Sequence, residues 1–336
     1  MGLRRYIGNK ALWYLGALVV AVALNFLLPR LVPGNPVDVI VSNLSRGANI
    51  SSEQQAKIYE QFVTEFGLNQ PMWQQFFTFV SGALHGDFGT SFSYYPTPVS
   101  ELVSQALPWT LVLQLPAIIV GWVVGNVIGA IAAYKGGGWD RSVFTTSLFL
   151  SSMPYYCLAI LLLYVFAVVL GWFPVGGAYS LGMSPEFSWE FFFDAISYYW
   201  LPFLSLVLIN IGGQAVGMRS MAIYELGSDY VNYSRGLGIG DAKMTRYIFG
   251  NAMLPQVTGL ALSIGTMVGG ALITELVFNY PGMGSLLFNA ISANDYPIIQ
   301  AVTLMITVAV LIANFAVEVI YGFIDPRIRA AKSGEK

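Results

Sequence analysis

Apolar and polar positions follow one another along this chain in long blocks rather than short periods. Six apolar runs, at 11–31, 107–134, 143–171, 200–221, 255–279 and 298–324, each reach the length a helix needs to cross a bilayer, roughly 20 residues. A helical period appears instead in the polar stretch 32–106. There Ile58, Phe62 and Phe66 recur four apart behind a capping box expected from Ser52 and Gln55, and Gly67 stops the helix. Trp73, Phe76, Phe77, Val80 and Leu84 mark a second helix that Pro71 opens, and Gly86, Asp87, Phe88, Gly89 and Thr90 follow as a turn. The stretch therefore reads as a folded subdomain rather than a linker. Pro116 and Pro154 fall inside runs, where a kink is tolerated once neighbours satisfy the freed carbonyls. Gly121, Gly125 and Gly129, like Gly265 and Gly269, stand four apart, a spacing that lets helix backbones approach closely. This is ordinary helix packing and implies no transport role.

Composition agrees with the block pattern. Of 336 residues 56% are hydrophobic and 10% charged, against about 25% charged in a soluble domain. The net charge of −2 gives no reason to expect nucleic acid. With the amino terminus inside, 13 of the 16 basic residues fall on inner segments, and only Arg30, Arg46 and Lys57 lie outside. The outer segments 172–199 and 280–297 hold no Lys or Arg and carry Glu186, Glu190, Asp194 and Asp295. Six spans with both termini cytoplasmic follow from the positive-inside rule. The charged start before the first run resembles a signal peptide, but the run is long and VPGNP behind it lacks a small-x-small cleavage site. A retained first helix is expected.

Catalytic chemistry finds little purchase. There is no phosphate-cradling G-x-x-x-x-G-K-[ST], and one cysteine, Cys157, with one histidine, His85, exclude paired-cysteine and histidine-cluster metal sites. Any ATP and Mg would be bound by another subunit. Two carboxylates lie within apolar runs, where charge is costly and points by default to a pathway or a partner. Glu318 reads as a tie to the inner boundary, with Arg327 and Arg329 as candidate partners. Glu275, expected near the outer surface, is read evenly as a structural tie and as a gate or pathway residue. The densest basic loop of the second half is 222–254, with Arg235, Lys243 and Arg246 and with Arg219 just upstream as a helix-end anchor. Gly236, Gly238 and Gly240 break helix there, predicting one short helix near 225–235 and another from an Asp241 cap to about Phe249, before Pro255 opens the next span. A short helix held between two rigid spans can carry force from a bound partner into the membrane; the plain alternative is a solvated loop.

The loop resembles the EAA loop of ABC importer permeases, and more narrowly the first permease of the dipeptide/oligopeptide/nickel family. Met218, Arg219, Asp229, Tyr230, Val231, Ser234, Arg235, Gly238, Asn251, Ala252, Leu254 and Pro255 carry the likeness. So do PGNP (33–36), FGLNQP (66–71), GDFGTSF (86–92), PVSELV (98–103), TELVFNYPGMGSLLFNAI (274–291), DYP (295–297) and DPRIR (325–329). The EAA triplet stands here as Tyr233-Ser234-Arg235, a departure, and the segment from Gly238 to Asn251 is about one residue shorter than usual. The resemblance implies an all-α polytopic membrane protein of the type I ABC importer permease fold with a large first extracytoplasmic loop. It implies one permease domain over 1–336, with an extracytoplasmic subdomain at 32–106 and a cytoplasmic coupling loop at 222–254. It also implies a second homologous permease as heterodimer partner, two ATPase subunits, an extracytoplasmic solute-binding protein, and a place in the lipid of the inner membrane. Tyr230, Ser234, Arg235 and Gly238 become the residues expected at the ATPase contact.

For cargo, GWFPVGGAY (171–179) and NAMLPQVTGLALSIG (251–265) resemble the sugar-carrying branch. Oligosaccharide is accordingly set slightly ahead, with dipeptide or oligopeptide as the alternative by the same mechanism. An ion-coupled secondary transporter would need a mid-membrane ion site and internal repeats, and a membrane enzyme would need a catalytic cluster; neither is visible.

Overall fold

The computed structural model describes residues 3–31, 37, 41, 51–267 and 271–324. Twelve helices among them are numbered in chain order: α1 Leu3–Leu31, α2 Ser52–Glu65, α3 Met72–Leu84, α4 Val99–Lys135, α5 Gly137–Ser152, α6 Tyr155–Leu162, α7 Trp189–Leu226, α8 Asp229–Gly236, α9 Asp241–Thr266, α10 Leu272–Val277, α11 Met283–Ser292 and α12 Tyr296–Ile324. Among the described residues the only extended pairing is one isolated bridge, Thr90–Pro98. Four helical segments suffice to span a membrane, Ile7–Leu31, Val99–Lys135, Trp189–Leu226 and Tyr296–Val319. Two bent pairs are also long and apolar enough when each is taken together, which makes up to six if each counts as one span: Gly137–Ser152 with Tyr155–Val169, at 96°, and Lys243–Met253 with Pro255–Gly265, at 44°.

Several runs take a different form from the one their hydropathy suggests. Pro154 makes a sharp break rather than a mild kink. Met153 before it is extended, at ψ 131°, because a following proline disfavours the helical basin, and Pro154 itself precedes the first turn of α6. The run 255–279 is divided: α9 ends at Thr266, and α10 is a separate six-residue helix. Conversely α4 and α7 outrun their apolar cores. Ser188 caps α7 through a hydrogen bond from the Phe191 amide, so the helix starts well before the run at 200.

The chain forms two compact units, one of Met1–Thr110, Val268–Leu272 and Gly282–Lys336, the other of Leu111–Met267 and Ile273–Pro281. In the first, α1 and α12 lie antiparallel. Lys10 is 2.6 Å from the Glu318 carboxylate, the Tyr14 and Phe315 rings meet edge to face at 5.5 Å, and Asn25 accepts from the Thr303 hydroxyl at 2.6 Å. Glu318 is thus tied as expected, but to Lys10; Arg327 and Arg329 lie outside the described residues. The capping box of α2 is Ser51 with Gln54, one residue ahead of the expected Ser52 and Gln55. Gly67, at φ +62°, ends the helix, and the Leu68 amide reaches back to the Val63 carbonyl. The turn of this subdomain is pinned by Asp295. Its fully buried carboxylate accepts from the Ser91 hydroxyl at 2.6 Å and from the Ser93 amide at 2.8 Å.

In the second unit the glycine ladder of α4 packs on α7. A Cβ added to Gly121, Gly125 or Gly129 would stand 2.5 Å from Asn210, 2.6 Å from Gln214 and 2.3 Å from the Ala215 carbonyl. Backbone approach this close needs glycine, and the three serve packing as expected. Gly269 lies outside the described residues. On α7, Gly212 plays the same part against α5, where a Cβ would meet the Ser147 carbonyl at 2.7 Å.

Candidate functional site

The polar loop at 222–254 folds against the ends of two long helices. Ala130 and Ala133 of α4, Met218 and Ala222 of α7, Val231 of α8, and Met244, Ile248 and Ala252 of α9 form one buried cluster. The eight-residue α8 contributes a single fully buried residue, Val231, so one side is anchored and the other left open.

Both ends of α8 are fixed by local chemistry. Beyond its last residue, Gly238 takes φ +72°, which lets the Ile239 amide reach the Ser234 carbonyl and the Gly238 amide reach the Arg235 carbonyl. That is the glycine-terminated cap of a helix, and most side chains at Gly238 would strain it. A Cβ there would meet nothing within 4 Å, so the requirement is conformational and not steric. At the other end the Tyr230 hydroxyl donates to Glu225 at 2.6 Å and accepts from the Asn251 side chain at 3.0 Å, joining α7, α8 and α9. Burial, and then the Glu225 carboxylate, push the Tyr230 phenol up from its ordinary pKa.

The expected contact residues therefore divide. Arg235 is exposed one turn after the buried Val231, Gly238 is exposed just past the end of α8, Ser234 is half-buried, and Tyr230 points its hydroxyl into the loop's own scaffold. Tyr233 and Leu237, four apart and well exposed, form the open surface opposite Val231; sequence reading saw Tyr233 only as a departure from the triplet. Their signal was available as a helical i, i+4 apolar pair with no buried partner. The second short helix differs from expectation. Gly240 occupies the cap position with no side-chain hydrogen bond, and Asp241 is the first helical residue, its carboxylate facing the Tyr134 hydroxyl. The helix does not stop near Phe249 but continues through Pro255 with the 44° bend.

Arg219 sits below the loop as an anchor. Its guanidinium makes a two-pronged contact with Asp140 of α5, both N···O distances 2.6 Å, and lies 4.3 Å from the Phe144 ring centroid. Glu275 is fully buried within the protein. The chain turns back after α10: Asn279 adopts φ +47°, and the Tyr280 amide folds onto the Glu275 carbonyl at 2.7 Å. Gly177 also donates to the Phe278 carbonyl, so part of GWFPVGGAY is engaged in closing this corner.

Residues 125–330 match the family of binding-protein-dependent transport system inner membrane components. The chain belongs to this family. The permease is 31% identical over 325 residues to the oligopeptide transport system permease protein AppB of Bacillus subtilis, covering 96% of this chain and 98% of that one. It is 32% identical over 321 residues to the di/tripeptide transport system permease protein DppB of Pseudomonas aeruginosa, covering 91% and 93%. Against the glutathione transport system permease protein GsiC of Escherichia coli the identity is 31% over 326 residues, covering 96% and 98%. It is a helical membrane permease of the ABC importer class, similar to peptide permeases, and an inner membrane protein. Its relatives are named for peptides and glutathione, which favours the peptide alternative over the oligosaccharide preference read from 171–179 and 251–265.

Proposed function

We propose that this permease forms half of the transmembrane pathway of an ATP-driven importer of short peptides. Residues 1–336 act as one permease domain, with both termini cytoplasmic and the segment 32–106 outside. A second homologous permease supplies the other half, a solute-binding protein delivers peptide from outside, and two ATPase subunits hydrolyse ATP. The carrying observation is α8: a short helix, capped by Gly238 and strutted by Tyr230 to Glu225 and Asn251, that leaves Tyr233 and Leu237 on its outward side and Arg235 exposed at its flank. A partner seated on those residues moves α7 and α9 together, because the helix cannot shift without them. ATP and peptide-loaded binding protein then select states by differential affinity. Peptide as cargo rests on the named transport of AppB, DppB and GsiC.

The test pairs two substitutions at one position. Gly238→Asn and Gly238→Asp both tolerate the left-handed backbone, and open space receives either side chain. Only Asp adds negative charge beside Arg235. Both variants should reach the membrane at the parental level, with peptide uptake lost in Asp and largely kept in Asn. Unchanged uptake in Asp, or uptake by the isolated chain in sealed vesicles without an ATPase, would defeat the coupling role. Titrating the cognate binding protein with tripeptides and with cello-oligosaccharides by calorimetry tests the cargo, and binding of the sugar alone would reject peptide.

A further inference from the structure

The outer helix α3 carries no charged residue in its thirteen positions, and at about 100° per residue its side chains sort into three sectors. Phe76 and Phe79 face α1, their rings 5.3 and 5.8 Å from that of Phe26, while Gln75 accepts from Arg30 at 3.2 Å. Gln74, Thr78 and Ser81 form an exposed polar sector. Between these runs an apolar stripe with little cover: Trp73 is 61% exposed, Phe77 65% and Leu84 80%. The neighbouring α2 is built otherwise, exposing Glu53, Lys57, Glu60 and Glu65 to water.

The height of α3 decides what meets that stripe. It docks on Phe26, five residues before the end of the membrane-spanning segment Ile7–Leu31. At 1.5 Å per residue, the contact lies about 8 Å inside the end of the apolar span. Interfacial helices sit at a comparable depth, about 5–10 Å into the boundary between headgroups and acyl chains. Leu24, Leu28 and Leu31 are exposed on the other side of this last stretch of α1, so the helix remains apolar to its end at the level of the contact. We infer that α3 is a membrane-surface anchor, its Trp73–Phe77–Leu84 stripe seated in the outer-leaflet interface and its Gln74–Thr78–Ser81 sector turned to the headgroups. A helix so placed holds the outer subdomain against the bilayer.

Nitroxide accessibility tests this on the assembled transporter in nanodiscs of phosphatidylethanolamine and phosphatidylglycerol. Cys157→Ala first removes the one native thiol. Single cysteines then replace Phe77 and Leu84 on the stripe, with Trp73→Cys as a third position should either variant fail to assemble, and Thr78 and Lys57 as references. Labels on the stripe should collide with oxygen several-fold more than with a water-soluble nickel chelate, and the Lys57 site should show the reverse. Nickel collision on the stripe equal to that at Lys57 would overturn the anchor in favour of a solvated face. Shielding of the stripe from both reagents would overturn it in favour of a protein cover.

Discussion

Replacing Asp140 by Asn removes one charge from the Arg219 contact and little volume, so it isolates electrostatics from packing. The two side chains are 17% and 21% exposed, and both N···O distances are 2.6 Å. Exposed ion pairs contribute about 0.2–1 kcal/mol. Breaking a buried pair costs about 3–5 kcal/mol, because the surviving charge is stranded. With about a fifth of each side chain exposed, and with one Asn oxygen left to accept, the expected cost lies between, about 2 kcal/mol. That is about thirty-fold in a folding equilibrium. The Phe144 ring, 4.3 Å from the guanidinium, holds Arg219 in place and accounts for part of what remains. The assay is a double-mutant cycle of Asp140→Asn, Arg219→Gln and the pair, read by reversible unfolding in mixed detergent micelles. A coupling energy of about 2 kcal/mol is expected, with the double variant no less stable than either single one. A coupling below about 0.5 kcal/mol would refute the anchor. Should Arg219 serve an outside partner instead, Arg219→Gln would lower uptake far more than Asp140→Asn at equal membrane levels.

Gly129→Ala should cost about 1–3 kcal/mol and lower the membrane yield, since the new methyl meets the Ala215 carbonyl, while Gly16→Ala, with nothing within 4 Å, should be neutral in the same expression assay. Asp295→Ala strands the Ser91 hydroxyl and Ser93 amide in a buried site, a loss of about 2–4 kcal/mol that limited proteolysis should show as faster cutting within 52–98. Tyr230→Phe keeps the ring and removes the bridge between Glu225 and Asn251. Uptake should fall several-fold with peptide capture by the binding protein unchanged, and parental uptake would deny the strut.

What could be read from the sequence is whatever depends on neighbours a few residues away. Hydropathy located the spans because burial in lipid is decided by composition over about 20 residues, and Gly67 and Gly238 were legible as stops because a left-handed residue is needed where a helix turns out. The misses have two physical sources. Cap positions are contested between adjacent residues, so Ser51 displaced Ser52 and Gly240 displaced Asp241, one place apart in each case. Charge pairs are chosen in space: Glu318 found Lys10, 308 positions away, and Arg219 found Asp140 across 79. Tyr230 shows why the second source matters for function. Its local pattern marks it as a loop residue on a coupling surface, yet Glu225 and Asn251 turn its hydroxyl inward, leaving Tyr233 and Leu237 on the side open to a partner. The loop thus separates two tasks that motif matching merges: some of its residues hold the short helix rigid, and others are presented by it. A substitution of the first kind should soften coupling in proportion to the strut energy lost, whereas one of the second kind should act without changing the fold at all.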